Sequence, residues 1–123
     1  MGDARRPPPQ RRCRPRVDHR ALVAATIAVV NDYDARVVKV EGEFTRHTHP
    51  DTDEFFLVLS GELTIHMDDG DVTLGPGDTY VVPRGRAHQP CAVTETTLLL
   101  FEPSATVNTG DTPSDLTADR RVV

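Results

Sequence analysis

The sequence has no tryptophan, few aromatic residues and no long apolar run. A membrane-spanning helix needs about 20 predominantly apolar residues. The longest apolar stretch near the start, residues 21–30, is too short and is interrupted by Thr26. Asn31 and Asp32 follow it, where a secretory signal would end in small residues. We therefore expect neither a membrane span nor an export signal.

Cysteine is scarce as well, because Cys13 and Cys91 are the only two. Disulfide-stabilised proteins of this size usually carry four or more, so the pattern favours reduced thiols and a cytoplasmic location. Cys91 follows His88 by three residues and is a candidate soft metal ligand, although a small buried residue is the reading we favour. The sequence shows no nucleophilic triad, phosphate-binding loop or CxxC motif. If the protein is a metal-dependent enzyme, the metal therefore has to carry the chemistry.

Charge is unevenly distributed along the chain. Residues 1–20 hold seven arginines and two aspartates, a net charge of +5. The remaining residues hold seven basic and seventeen acidic side chains, a net charge of −10. An acidic body repels phosphates, so we expect no nucleic-acid partner for the folded part. The Arg/Pro-rich start is typical of a solvated extension.

Short strand-like runs recur from residue 35 onward. They alternate with Gly, Pro and Asp turns such as Asp68-Asp69-Gly70, and helical periodicity is almost absent. This pattern predicts an all-β sandwich or small barrel. The runs are ARVVKVEGEF, FFLVLSG, ELTIHM, DVTLG, TYVVP and TTLLLFE.

The domain organisation follows from these patterns. We predict a disordered Arg/Pro-rich extension over residues 1–17, a β-barrel over 18–104 and an irregular C-terminal extension over 105–123. Residues 18–30 are ambiguous because alanines favour helix whereas the β-branched end favours strand. We predict a short helix or turn leading into a strand there.

Three histidines and one glutamate are the candidates for metal binding. His47 and His49 have the i, i+2 spacing that points two side chains to one face of a strand. Glu54 opens the most apolar run, where an unpaired carboxylate would be costly. His88 follows the turn at residues 83–85 and leads into another strand. Three neutral imidazoles and one carboxylate suit a divalent transition metal.

The spacing of these residues resembles that of the cupin superfamily. The first cupin motif is matched by Gly42-EFTR-His47-Thr-His49-PDTD-Glu54-FFLVLS-Gly61, and the second by Gly77-DTYVV-Pro83-Arg-Gly85-RA-His88-QPC-Ala92. The resemblance covers about residues 30–103 and is greatest to small single-domain bacterial cupins of the mannose-6-phosphate-isomerase-like type. The later segments EP and TVNTGD also match those of these small cupins. Two departures are a first motif one residue shorter than usual and Ala92 in place of the closing Asn.

The resemblance implies a double-stranded β-helix, or jelly-roll, barrel. It also implies one metal ion held inside the barrel by His47, His49, Glu54 and His88, with one or two coordination positions open. Fe, Mn, Ni, Zn, Co and Cu are not distinguished. By strand alternation, an apolar pocket on the ligand face is expected from Thr45, Phe56, Val58 and Pro90. Tyr80 is the predicted catalytic residue, Arg46 a weaker polar candidate, and His66 is expected on the sheet surface.

Three functions remain open. The first is a metal-dependent enzyme acting on a small molecule by oxygenase, isomerase, lyase or cyclase chemistry. The second is a non-catalytic cupin that binds a metal or a small molecule. The third is an accessory partner of a larger enzyme that docks through the Arg-rich start. The expected partners are a small-molecule substrate or ligand and a second copy of the chain in a homodimer, with no membrane.

Overall fold

Runs rich in β-branched and aromatic residues, bounded by glycine and proline, form seven strands. The computed structural model describes residues 23–112 and 120–123. The strands, in chain order, are β1 (Val23–Val30), β2 (Tyr33–Glu43), β3 (Glu54–Ser60), β4 (Leu63–Met67), β5 (Gly70–Leu74), β6 (Thr79–Val82) and β7 (His88–Pro103). These ranges contain no helix, and accordingly no helix able to cross a membrane.

The predicted all-β class is confirmed, and each of the six predicted runs contributes to a strand. The ambiguous stretch forms β1 from Val23 onward, so its β-branched end determines its structure. No helix is found in the part of residues 18–30 that the structure describes. The predicted extension over residues 1–17 lies outside the described residues.

All seven strands are connected in one antiparallel hydrogen-bonding network, which divides into two sheets that share β7. One sheet has the order β1-β2-β7-β3-β6, and the hairpin β4–β5 pairs with the beginning of β7 to start the other. β7 therefore belongs to both: residues 88–91 pair with β4, whereas residues 97–101 pair with β3. Between these parts the pairing of β7 with β2 shifts register, and residues 93–95 are exposed.

The hairpin between β4 and β5 turns at Asp68 and Asp69, as predicted. Met67 pairs with Gly70, so only two residues connect the strands. Gly70 has a φ of 134°, a backbone conformation that side chains with a Cβ rarely adopt.

The core lies between the two sheets, where each strand directs alternate residues inward. In β4 the three apolar side chains are buried and the two between them are half-buried. The central buried residues come from both sheets: Phe56, Val58, Leu63, Ile65, Val82, Ala92 and Leu98. Two facing antiparallel sheets with one interior form the jelly-roll barrel that the sequence motifs imply.

The C-terminal residues return along the barrel after β7. Residues 104–112 form a series of turns. Val122 then forms a parallel bridge with Thr26 in β1, where the Thr26 N–H donates to the Arg121 carbonyl at 2.7 Å. Arg120 donates to both carboxylate oxygens of Asp34 at 2.6 and 3.0 Å. These contacts attach the end of the chain to β1 and β2.

Candidate metal centre

Three chain segments bring the predicted ligands together. His47 and His49 lie in an extended segment after β2, Glu54 is the first residue of β3, and His88 is the first of β7. His47 and His88 exchange backbone hydrogen bonds of 2.9 and 3.0 Å, which fixes their side chains beside each other. The segment with His47 and His49 is therefore held by an isolated bridge to β7.

The four side chains converge on one point inside the barrel. His47 Nε2 lies 3.2 Å from His49 Nε2, and Glu54 Oε2 lies 3.0 Å from Nε2 of both His49 and His88. One ligand atom from each residue can be chosen so that all four lie within 4.8 Å of one another. All four residues are buried, with exposed fractions of 1–5%. This geometry could hold a single metal ion.

The far ring nitrogens of two histidines bind the backbone. His47 Nδ1 lies 2.7 Å from the Thr45 carbonyl oxygen, and His88 Nδ1 lies 2.9 Å from that of Arg86. Because a carbonyl can only accept, Nδ1 is the donor in both histidines, and Nε2 is the ring nitrogen that faces the cluster. Such hydrogen bonds orient metal-binding imidazoles and raise their basicity.

The electrostatics of the cluster match the protonation that a metal requires. Burial lowers the pKa of His47 to about 4. Burial acts to raise the pKa of Glu54, but hydrogen bonds with His49 and His88 outweigh it and bring the value to about 2. At neutral pH, His47 is therefore neutral and Glu54 is ionised, the forms that coordinate a divalent cation.

The segment of residues 107–112 contacts the loop that carries His47 and His49. Asp111 Oδ1 accepts from the Thr48 N–H at 2.8 Å, and the Asp111 N–H donates to the Thr48 carbonyl at 3.0 Å. A Cβ at Gly110 would overlap the Thr48 carbonyl oxygen and lie 3.0 Å from His47 Cδ2. In the sequence, this segment stood out only because TVNTGD resembles a segment of the family. Its contact with Thr48 could not be derived from residue spacing.

A cavity of about 80 Å³ opens beside the cluster, with His47 and Glu54 in its wall. Its walls are mostly apolar, and the predicted pocket residues Phe56 and Pro90 line it, whereas Thr45 and Val58 do not. Val58 is instead buried in the core. The main apolar lining residues are Val38, Val40, Phe44, Phe56, Leu98 and Leu100.

A second polar group in the cavity wall was missed by the sequence reasoning. Arg36 Nη1 donates to Glu102 Oε1 at 2.8 Å, and Arg36 Nη2 donates to Asp34 Oδ2 at 3.3 Å. Arg36 and Glu102 line the cavity, and all three residues are buried. Strand alternation was the available signal. Arg36 lies two residues before the buried Val38, and Glu102 lies two residues after the buried Leu100, so each shares the inward face of its strand.

Tyr80 does not line the cavity. It pairs with Phe56 across β3 and β6 and packs, partly buried, against the core. Its predicted catalytic role remains a prediction. Arg46, the weaker candidate, forms an ion pair with Asp68 at the surface.

Within the described residues, the remaining histidine and cysteine lie outside the cluster. His66 is half-buried on β4, with Nδ1 3.0 Å from Asp71 Oδ2. Cys91 lines the cavity but is disulfide-bonded in the structure, so it has no free thiol for a metal. This finding runs against the reduced state that we expected for Cys91.

The fold and the site together define a jelly-roll barrel with three histidines and a glutamate at an interior site. Residues 36–102 match the family model described as "Cupin domain". Since this match covers more than half of the chain, the protein belongs to the cupin family.

Individual relatives agree with the family assignment. A cupin-2 domain containing protein from Shewanella frigidimarina NCIMB 400 has a crystal structure that is 44% identical, covering 70% of this chain and 82% of that one with a TM-score of 0.64. The uncharacterized protein YdbB of Bacillus subtilis (strain 168) is 37% identical over 78 residues, 63% of this chain and 69% of its own length.

A more distant solved structure carries an activity in its description. It is a sugar phosphate isomerase from a cupin superfamily, from Silicibacter pomeroyi DSS-3, with 27% identity and a TM-score of 0.55. The alignment covers 63% of this chain and 54% of that protein.

Proposed function

We propose that this cupin is a metal-dependent enzyme that transforms a small organic molecule at the site of His47, His49, Glu54 and His88. The observation that carries the proposal is the convergence of four buried donor atoms within 4.8 Å beside an apolar cavity. Structural metal sites are usually fully enclosed by protein ligands, whereas a site beside a cavity leaves room for a substrate. The isomerase relative is consistent with chemistry on a small organic molecule.

The protein residues have defined roles in this proposal. A bound divalent ion would supply Lewis-acid activation of a substrate oxygen or a position for dioxygen. The Nε2 atoms of the three histidines would bind the ion, and Glu54 would contribute the one anionic ligand. The apolar walls exclude water, which strengthens every electrostatic interaction at the site. The reaction class remains one of oxygenation, isomerisation, lyase or cyclisation chemistry.

Metal analysis of purified variants tests the proposal. We expect about one divalent transition metal ion per chain in the wild type, and a loss of affinity greater than about a hundredfold in His88→Ala. His66→Ala is the matched control, because His66 is a half-buried histidine outside the cluster. Metal retained in both His47→Ala and His88→Ala would overturn the assignment. Metal bound by the wild type without turnover of any candidate substrate would favour the binding-module alternative.

Three further predictions accompany this function. A catalytic contribution of Tyr80 would show as a loss of turnover in Tyr80→Phe with metal content unchanged.

A homodimer is supported by the exposed apolar side chains on the outer face of the larger sheet, among them Leu59, Val81 and Phe101. The cytoplasmic location stays a prediction for cell fractionation.

A further inference from the structure

The cavity has a second polar region besides the candidate metal ligands. Arg36 lies on β2 and Glu102 near the end of β7, and both line the cavity together with His47 and Glu54. Burial raises the pKa of Glu102, and the negative charge of Glu54 raises it further. A ligand in the cavity could therefore meet both polar regions.

A structural role accounts for only part of this region. The Arg36 Nη1 and Nη2 atoms donate to Glu102, Asp34 and the carbonyls of residues 104 and 106 at 2.8–3.3 Å. These bonds attach the turn after β7 to β2. They leave two polar atoms unexplained.

Arg36 Nε and Glu102 Oε2 are buried and have no hydrogen-bond partner. Leaving a buried donor or acceptor unsatisfied typically costs about 1–3 kcal/mol. Within the described residues, no other buried side-chain nitrogen or oxygen atom lacks a partner. The two exceptions belong to one ion pair in the wall of one cavity, which indicates that a ligand completes them.

We propose that Arg36 and Glu102 form a subsite that binds a hydroxyl group of the substrate. The proposal rests on the proposed function and names the substrate class: a small, mainly apolar alcohol or phenol with an oxygen for the metal at its other end. A hydroxyl both accepts and donates, so one group can accept from Arg36 Nε–H and donate to Glu102 Oε2.

A neutral hydroxyl suits this subsite whether Glu102 is ionised or protonated. Arg36 already faces the carboxylates of Asp34 and Glu102, and Arg120 binds Asp34 from the other side. Two basic and two acidic side chains are balanced when Glu102 is ionised. An ionised Glu102 would repel a carboxylate or phosphate, whereas a hydroxyl can donate to the ionised carboxylate or accept from its protonated form.

A pair of matched probes tests the subsite. Phenol and toluene have similar size, and only phenol carries a hydroxyl. We expect the wild type, with its metal, to bind phenol about tenfold more tightly than toluene, the equivalent of one net hydrogen bond. NMR titration of the labelled protein measures both dissociation constants. Phenol, but not toluene, should shift the amide signals of Arg36 and Glu102.

Variants distinguish the subsite from the metal as the source of any preference. Glu102→Leu should abolish the preference for phenol, because it removes both the acceptor of the hydroxyl and the ion-pair partner that holds Arg36 in place. Glu95→Gln is the control: Glu95 is exposed and does not line the cavity, so the preference should be unchanged. Metal content, measured in parallel, reports on the proposed function separately.

Equal affinities of the wild type for phenol and toluene would overturn the subsite even if the metal is bound. So would a preference that survives in Glu102→Leu, since the metal would then be its source. If Glu102→Leu does not fold, the wild-type amide signals that phenol shifts show where its hydroxyl binds. Shifts confined to residues around His47 and His88 would reject the subsite.

Discussion

Glu54 occupies a position where an isolated carboxylate would be unstable. The side chain is buried, and its hydrogen bonds with His49 and His88 hold its pKa at about 2 in spite of burial. The charge is therefore retained at neutral pH in the absence of a metal. This prearrangement makes Glu54 the residue whose charge most directly controls metal affinity.

We expect Glu54→Gln to weaken binding of a divalent metal more than tenfold, because the amide preserves shape but removes the negative charge. Competition with a chromophoric chelator measures the affinity. Glu62→Gln, an exposed change outside the cluster, should leave it unaltered. Equal affinities for Glu54→Gln and wild type would show that Glu54 does not coordinate.

Glu102 gives the metal-free protein a distinctive pH dependence. Burial and the charge of Glu54 raise the pKa of Glu102 to about 8, from an ordinary value of 4.5. The folded state therefore keeps a proton that the unfolded chain releases, so this group's contribution to stability is present below pH 4.5 and is lost as the pH rises towards 8.

The Glu102→Gln variant lacks this titration. Its free energy of unfolding relative to the wild type should increase steadily from about pH 5 to about pH 8, as measured by urea unfolding without metal. A difference that does not change with pH would contradict a raised pKa for Glu102.

At the scale of elements, the turns after β7 position the metal ligands. Residues 107–112 are irregular, yet Asp111 binds both backbone groups of Thr48, the residue between two ligands. Gly110 approaches the same loop so closely that it has no space for a side chain. The C-terminal turns therefore contribute to the site without supplying a ligand.

Substitution of two glycines separates this contact from backbone strain. Gly110 and Gly77 both have positive φ, 57° and 84°, but only Gly110 has neighbours where a Cβ would lie. We expect Gly77→Ala to cost about 1–2 kcal/mol of stability, and Gly110→Ala to cost a further 1–3 kcal/mol or so from overpacking. Only Gly110→Ala should also weaken metal binding. Thermal unfolding and metal titration measure the two effects, and equal losses in both variants would contradict a positioning role.

The sequence predicted those elements whose signals are local. Strand alternation, turn residues and the HxH spacing indicated six strands and the four clustered residues, because each signal spans only a few positions. The ion pair of Arg36 with Glu102 joins positions 66 residues apart, and the Asp111 contact to Thr48 spans 63. Such pairs depend on which strands become neighbours, which no local pattern encodes.

At the scale of the whole molecule, the larger sheet has an apolar outer face. Phe55 lies between Phe101 and Val81 in the strand register, so the three side chains form a row across β7, β3 and β6. Val81 and Phe101 are exposed. Burying such a row against a second copy would remove apolar surface from water.

We expect light scattering to give twice the chain mass of 13.5 kDa for the wild type. Val81→Lys should shift the protein to the monomer, because a charge would be buried in the contact. Val93→Lys is the control: Val93 is about equally exposed but lies in the stretch of β7 where the register with β2 shifts, away from this row. A monomeric wild type would refute the homodimer.

β7 carries His88 at its beginning and Glu102 near its end, with the exposed residues 93–95 between them. If the sites at His88 and Glu102 both contact the substrate, one continuous stretch of backbone determines the distance between the two substrate groups that they recognise. Adding or removing a residue within the exposed stretch 93–95 would then alter which molecular lengths fit, while leaving the chemistry of either end intact.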